Sequence, residues 1–217
     1  MKEFLDNWIP EIVYIASGIV VNVKLTIIAV FLGIILAIFL AIAKVSRYSS
    51  LRILADFYTS IFRGTPLIIQ LSIIYYVFPG AIGVKLSSLS ASIIALSLNS
   101  AAYVSEILRS GINAVSKGQM EACISLGISR YNAYKDIVLP QALRHIFPAL
   151  VNEVINMLKE TSVISIIGEV EILRRSQLIA GEKYNYLIPL LTCAMSYYVV
   201  VLVLVWFSNF LERKLRI

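Results

Sequence analysis

The chain has 217 residues, 59% of them apolar and 15% charged, and its mean hydropathy is +0.84. A soluble domain carries about 25% charged residues, so water is excluded as the main solvent, and the length divides into about five spans of roughly 20 apolar residues each. The net charge of +6 comes from basic residues spread between apolar segments, without a tract interleaved with aromatics, which argues against a nucleic-acid partner.

Residues 1–10 carry Glu3 and Asp6 and so lack the basic start of a cleaved signal peptide, and the first span is expected to stay as an anchor. An uncharged run at 25–43, closed by Lys44 and Arg47, predicts that span. The stretch before it, with Asn22 and Lys24, can extend the helix into the interface, where a lysine snorkels. A second helical region covers 51–78, is interrupted by Arg63-Gly64-Thr65-Pro66, and is expected to stop at Pro79-Gly80, its first part lying at the interface. The third span, 86–105, ends at Glu106 and Arg109, which stand at i and i+3 and are expected to pair.

Residues 110–144 are too polar to cross a bilayer and predict short amphipathic helices in water. A fourth apolar segment runs from 142 to 158 and contains Pro148 and the acidic Glu153. Residues 169–183 read as a polar connection, and the fifth span, 184–211, closes on Glu212-Arg213-Lys214. Of the two cysteines, Cys123 falls in the polar stretch and Cys193 in an apolar run, a pattern that gives neither a disulfide framework nor a zinc site. The whole of 1–217 reads as a single membrane domain.

Five spans put the termini on opposite sides, and the basic residues orient them. With the N-terminus outside, eleven lie on the inner side (Lys44, Arg47, Arg52, Arg109, Lys117, Arg130, Lys135, Arg144, Arg213, Lys214 and Arg216) and five on the outer (Lys2, Lys85, Arg174, Arg175 and Lys183). The C-terminus and residues 110–144 are then cytoplasmic. No repeat is evident, and an odd number of spans does not suggest two fused halves, so a central pathway calls for a second copy.

Within the polar stretch, Glu121-Ala122-Cys123 is followed by Gly127 and, nine residues on, by Ile137-Val138-Leu139-Pro140. The spacing predicts a short helix ended by a glycine able to take positive φ, then a second short helix stopped before Pro140. Small Ala122 and Cys123 beside Glu121 would let another surface approach closely; an ordinary amphipathic loop fits the composition equally well. The run resembles the EAA loop of bacterial ABC importer permeases, with Cys123 in place of the third small residue. Arg63-Gly64-Thr65-Pro66-Leu67, Ala102-Tyr103 with Glu106, Gly118-Gln119, Leu139-Pro140-Gln141-Ala142-Leu143-Arg144 and Leu158-Lys159-Glu160-Thr161-Ser162 extend the resemblance to the polar amino acid permeases from Thr26 onward.

That resemblance implies an all-α, five-helix type I importer domain in the bacterial inner membrane, a dimer with a second, identical permease. It also implies an extracytoplasmic substrate-binding protein and a homodimer of cytoplasmic ATPases. The loop residues Glu121, Ala122, Cys123, Gly127 and Arg130 would couple to the ATPase. No G-x-x-x-x-G-K-[ST] phosphate loop occurs, so this chain is not expected to be an enzyme or to bind a cofactor; ATP and Mg would be used by the partner.

Glu153 lies eleven residues beyond Ala142, about 16 Å along a helix and near the middle of a roughly 30 Å hydrocarbon core. An ionisable group there costs about 2.5–3.5 kcal/mol on insertion scales unless it has a partner or water, and a cationic solute would be such a partner. Asn152 and Asn156 flank it, and Asn99, Ser100 and Tyr103 form a polar stripe on the third span that could line the opposite wall. Alternatively, Glu153 pairs with Lys159, and Asn99 and Ser100 bond between helices. Many members of the family carry a neutral amide where Glu153 stands, so its carboxylate points to arginine, lysine or histidine. Two other classes compete. A secondary carrier or channel would explain Glu153 but not the EAA spacing, and an intramembrane enzyme would want a nucleophile and base that the single histidine, His145, does not supply.

Overall fold

A computed structural model describes residues 2–215, and among these the chain is helical throughout, with no strand. In order the helices are α1 (Lys2–Ser17), α2 (Ile19–Lys44), α3 (Ser49–Gly64), α4 (Leu67–Ser72), α5 (Phe78–Ile82), α6 (Ser88–Asn113), α7 (Lys117–Ser125), α8 (Arg130–Ala133), α9 (Leu139–Glu160), α10 (Ile172–Lys183) and α11 (Leu187–Leu215). π-Helical turns at Ile73–Val77 and Tyr134–Val138 join α4 to α5 and α8 to α9, and a 3-10 helix, Thr161–Ile167, follows α9. Arg216 lies outside the described residues, as do the side chains of Lys2, Glu3, Asp6, Glu212 and Lys214.

Three stretches are long and apolar enough to cross a membrane, Trp8–Lys44, Ser88–Asn113 and Leu187–Leu211, while Ser49–Gly64 and Leu67–Ala81 form a pair bent by 104°. The segment expected as the fourth span is α9, whose 22 residues rise about 33 Å, long enough to cross although its asparagines and Glu153 make it less apolar than the other spans. Pro66 causes the bend: it has no N–H to donate and it forces the residue before it out of the helical region. Thr65 accordingly sits at φ −123°, ψ 146°.

Two expected helix ends are corrected. The second region does not stop at Pro79-Gly80; Pro79 sits in the first turn of α5, which ends at Gly83 in the left-handed region at φ +72°. Nor does the second knob helix stop before Pro140. That proline lies in the first turn of α9, so α8, the π-helical turn and α9 run on without a break. In both places a π-helical turn precedes the proline, and the altered hydrogen-bond register there accommodates the missing N–H. The expected polar connection at 169–183 is also largely helical, because Glu171 caps α10 by accepting from the backbone N–H groups of Leu173 (2.9 Å) and Arg174 (2.7 Å), as side-chain oxygens do at helix starts.

The core forms where α2 lies along α6. Ala29, Gly33 and Ala37 make a stripe of small residues on α2, which lets backbones approach without apolar bulk, as in other membrane bundles. A Cβ at Gly33 would stand 2.7 Å from the Cβ and Oγ of Ser100. Leu25, Val30, Leu67, Leu71, Leu96, Met157 and Ile164 fill the space around that contact. At the other end of α2 the Asn22 amide nitrogen lies 2.8–2.9 Å from Thr161 Oγ1, Glu171 Oε2 and the Tyr197 hydroxyl, tying α2, the 3-10 helix, α10 and α11 together. Most of α11 is exposed and apolar, as in Val199, Leu202, Val203 and Trp206, which suits contact with lipid.

Candidate solute site

The bend between α3 and α4 leaves the last carbonyls of α3 without helical partners. Gln70 supplies them: its amide nitrogen donates to the carbonyls of Phe62 (2.9 Å) and Thr65 (3.0 Å) and to Thr65 Oγ1 (3.0 Å). Asn99 on α6 then donates to Gln70 Oε1 at 3.1 Å and to the Phe62 carbonyl at 3.4 Å. The broken span is thus held against α6 by side-chain amides. Irregular backbone at membrane depth is tolerated where it is buried in protein or lines a cavity.

A cavity of about 440 Å³ opens beside this break, lined by Thr65, Pro66 and Leu67, by Asn99 and Tyr103 of α6, and by Glu153, Asn156, Met157, Lys159 and Glu160 of α9. Its volume falls in the range of small-molecule sites, roughly 300–1,000 Å³. Glu153, Asn156 and Glu160 stand at i, i+3 and i+7 and so project from one helix face. Glu153 is only 6% exposed, yet among the described residues its carboxylate receives no hydrogen bond and forms no ion pair. The internal pairing with Lys159 is therefore not formed.

The remaining candidate residues divide. Tyr103 and Asn156 line the cavity as expected. Asn99 also lines it, but its amide nitrogen is committed to Gln70 and Phe62, so its first role is to hold the bend. Ser100 is corrected: it is fully buried against Gly33 and does not line the cavity. Asn152 is exposed and also lies outside it, because one residue before Glu153 is about 100° round the helix. Thr65, Pro66, Lys159 and Glu160 were missed. Their signal was the interrupted second span and the i+7 spacing of Glu160 from Glu153.

Tyr103 also lines a second cavity of about 390 Å³, together with Arg63, Glu106, Arg109 and His145. The Arg63 guanidinium lies 5.6 Å from the centre of the Tyr103 ring and 3.7 Å from Glu106. Glu106 pairs with Arg109 at 2.6 Å, as the i, i+3 spacing predicts, and also binds Lys44. Lys44 reaches Thr59 (2.9 Å) and Asp56 (3.5 Å) as well, so the expected pair is part of a network joining α2, α3 and α6.

Past the end of α6, α7 ends at Ser125, Leu126 caps it, and Gly127 follows at φ +73°, in the left-handed conformation that the glycine was expected to take. Glu121, Ala122 and Arg130 are exposed. Cys123 is corrected as a presented residue: it is 4% exposed and packs inward, while Ile124 and the 79% exposed Leu126 offer the apolar surface.

A bundle of long apolar helices with a broken span, a polar cavity beside the break and an exposed helical knob has the make-up of a membrane transport protein. Residues 8–217 match the family described as binding-protein-dependent transport system inner membrane component. A Rickettsia felis protein provisionally named as glutamine transport system permease GlnP is 48% identical over 215 residues, 99% of each chain. The arginine transport system permease ArtQ of Bacillus subtilis is 44% identical over 208 residues, 96% of this chain and 95% of that one. A crystal structure of an amino acid ABC transporter with histidines superposes with a TM-score of 0.89 at 36% identity, covering 97% and 96% of the two chains. The chain belongs to the bacterial ABC importer permeases for amino acids. Membership makes it a multi-pass inner-membrane subunit and implies an ATPase and a substrate-binding protein as partners.

Proposed function

We propose that this permease carries cationic amino acids, such as arginine, lysine or histidine, and that the cavity beside α9 holds them in transit. The observation that supports this is Glu153, a nearly buried carboxylate that lines the cavity and has no hydrogen-bond or ion-pair partner among the described residues. A buried charge that nothing compensates is costly, and a guanidinium, ammonium or imidazolium would compensate it. A glutamine side chain would bring an amide where a cation is called for. The relatives named for arginine and for glutamine transport are both consistent with an amino acid headgroup, and Glu153 favours the first.

In this reading the N-terminus is outside and the C-terminus cytoplasmic, which places α7 and α8 in the cytoplasm. Two identical permeases dock their knobs, through Glu121, Ala122, Gly127 and Arg130, onto a homodimer of ATPases that uses ATP and Mg; this chain itself binds no cofactor. Closure of the ATPases rocks the permease between inward-open and outward-open states, after an extracytoplasmic binding protein delivers the solute. The test is ATP-driven uptake of radiolabelled L-arginine by proteoliposomes holding the complete importer. Unlabelled L-lysine or L-histidine is expected to compete and L-glutamine to leave uptake unchanged. Equal competition by L-glutamine would refute the cationic assignment.

A further inference from the structure

An apolar groove of about 380 Å³ runs between α2 and α3 and shares no residue with the solute cavity. Leu36, Phe39, Leu40 and Ala43 form one wall; they recur at i, i+3, i+4 and i+7 and so share one face of α2 over about 10 Å. Leu54 and Tyr58 of α3 form the other wall. The Tyr58 hydroxyl donates to the Leu98 carbonyl of α6 at 2.7 Å, which satisfies the one polar atom of that side chain.

The rim of this groove is basic. Arg47 stands four residues past Ala43, in the turn that joins α2 to α3, and Arg52 follows Leu51, which also lines the groove. Both arginines are exposed. Arg47 donates to the Tyr48 hydroxyl at 2.8 Å and Arg52 to Ser49 Oγ at 3.2 Å, and among the described residues neither forms an ion pair. The acidic residue nearest in sequence, Asp56, lies 3.5 Å from Lys44 instead. A guanidinium has five N–H donors, so most of this donor capacity is open. No side chain caps the start of α3, and the positive end of its dipole adds to the same rim. Lys44 binds Glu106, which sets this end of α2 beside the end of α6 that leads into α7. The rim therefore sits at the knob end of the bundle, where the uncharged run of α2 stops.

Groove and rim together call for one occupant. Within a bilayer an apolar concavity takes an acyl chain, and open guanidinium groups at its mouth take an anionic phosphate. An apolar partner helix would leave both arginines unanswered, and a free anion would leave the groove unfilled. We propose that this groove is a binding site for an anionic glycerophospholipid, with an acyl chain between α2 and α3 and the headgroup phosphate on Arg47 and Arg52. The bound lipid braces α3, the arm that leads to the break at Pro66. The site is independent of which solute is carried.

The test is native mass spectrometry of the complete permease–ATPase complex, stripped of lipid in detergent and titrated with dioleoyl phosphatidylglycerol or dioleoyl phosphatidylcholine. The two share their acyl chains and differ in net headgroup charge. A basic residue near the headgroups is worth roughly fivefold in affinity for an anionic lipid, so wild type should take its first phosphatidylglycerol about 30-fold more tightly than phosphatidylcholine. The double variant Arg47→Gln/Arg52→Gln should bring the two lipids within about threefold of each other. Ala43→Phe, which fills the groove and leaves both arginines, should weaken both lipids together, and glycerol 3-phosphate should displace neither. Equal uptake of the two lipids by wild type would overturn the proposal without recourse to any variant, as would an unchanged preference in the double variant. Full phosphatidylglycerol binding by Ala43→Phe, or its displacement by glycerol 3-phosphate, would reduce the site to a phosphate contact without a chain and overturn it too. A wild-type complex that takes up no lipid and falls apart on Ala43→Phe would assign the groove to a second copy of the chain.

Discussion

Glu153→Gln should move ligand affinity and protein stability in opposite directions. The substitution is nearly isosteric and removes a charge that is 6% exposed and unpaired among the described residues. Among the described residues the ligand-free chain loses no hydrogen bond or ion pair, because Glu153 makes none with them, and it is relieved of a group whose insertion costs about 2.5–3.5 kcal/mol at the centre of a span. Its thermal midpoint should therefore hold or rise. Binding should suffer, since removing one partner of a buried charge pair costs about 2–5 kcal/mol, which corresponds to roughly 30- to 4,000-fold in Kd for L-arginine. Calorimetry on the purified permease–ATPase complex, paired with a thermal unfolding curve recorded without ligand, reads both quantities on one preparation. A structural carboxylate would lower stability and leave affinity alone, and that outcome would refute the reasoning.

At the α2 to α6 contact, Gly33→Ala should destabilise by about 1–3 kcal/mol through overpacking against Ser100, and Ser100→Gly should recover much of this in the double variant; thermal unfolding of the four proteins reads the coupling. Glu106→Gln leaves Lys44, whose side chain is 4% exposed, with only the more distant Asp56 as a carboxylate. It should cost about 3 kcal/mol, the lower end for a broken buried pair because Glu106 itself is partly exposed, and Lys44→Met in the same chain should restore midpoint stability. Gly127→Val places a β-branched residue at φ +73°. No neighbour crowds the new side chain, so the cost is the backbone strain of about 1–2 kcal/mol; ATP hydrolysis should persist while ATP-dependent uptake falls, and full uptake in that variant would remove Gly127 from the coupling role.

Hydropathy made the spans legible because a long uncharged run such as 25–43 has one physical solution in lipid. The break at Thr65-Pro66 and the left-handed Gly127 were legible for a similar reason, since few residues tolerate those backbone conformations. The continuation through Pro79 and Pro140 was not, because a proline normally ends a helix and nothing local announces a π-helical turn. Among the cavity residues, Glu153, Asn156 and Tyr103 were readable as polar groups on apolar helices. Ser100 and Asn152 were misplaced because adjacency in sequence is not adjacency on a helix: one faces Gly33 and the other faces outward. Asn22 and Glu171 escaped notice as a pair because their hydrogen bond joins positions 149 residues apart.

The uninterrupted path from knob to cavity gives the proposed cycle a mechanical basis. Had the second knob helix stopped before Pro140, a hinge would separate the ATPase contact from the solute site. Instead α8, the π-helical turn and α9 follow one another without a loop from Arg130 to Glu160, and Glu153 lies on the same rod about 34 Å from its start. A tilt imposed at Arg130 is then delivered to Glu153, Asn156 and Glu160 together, whereas Asn99 and Gln70 keep the opposite wall fixed to α6. The cavity would change shape by movement of one wall against the other. A third proline on this rod, at Gln141 beside Pro140 and ahead of Pro148, should loosen it by removing a further N–H, leaving L-arginine binding near its wild-type value while uptake per ATP hydrolysed falls. Retained coupling in Gln141→Pro would place the force path elsewhere, through α6 and its link to α7.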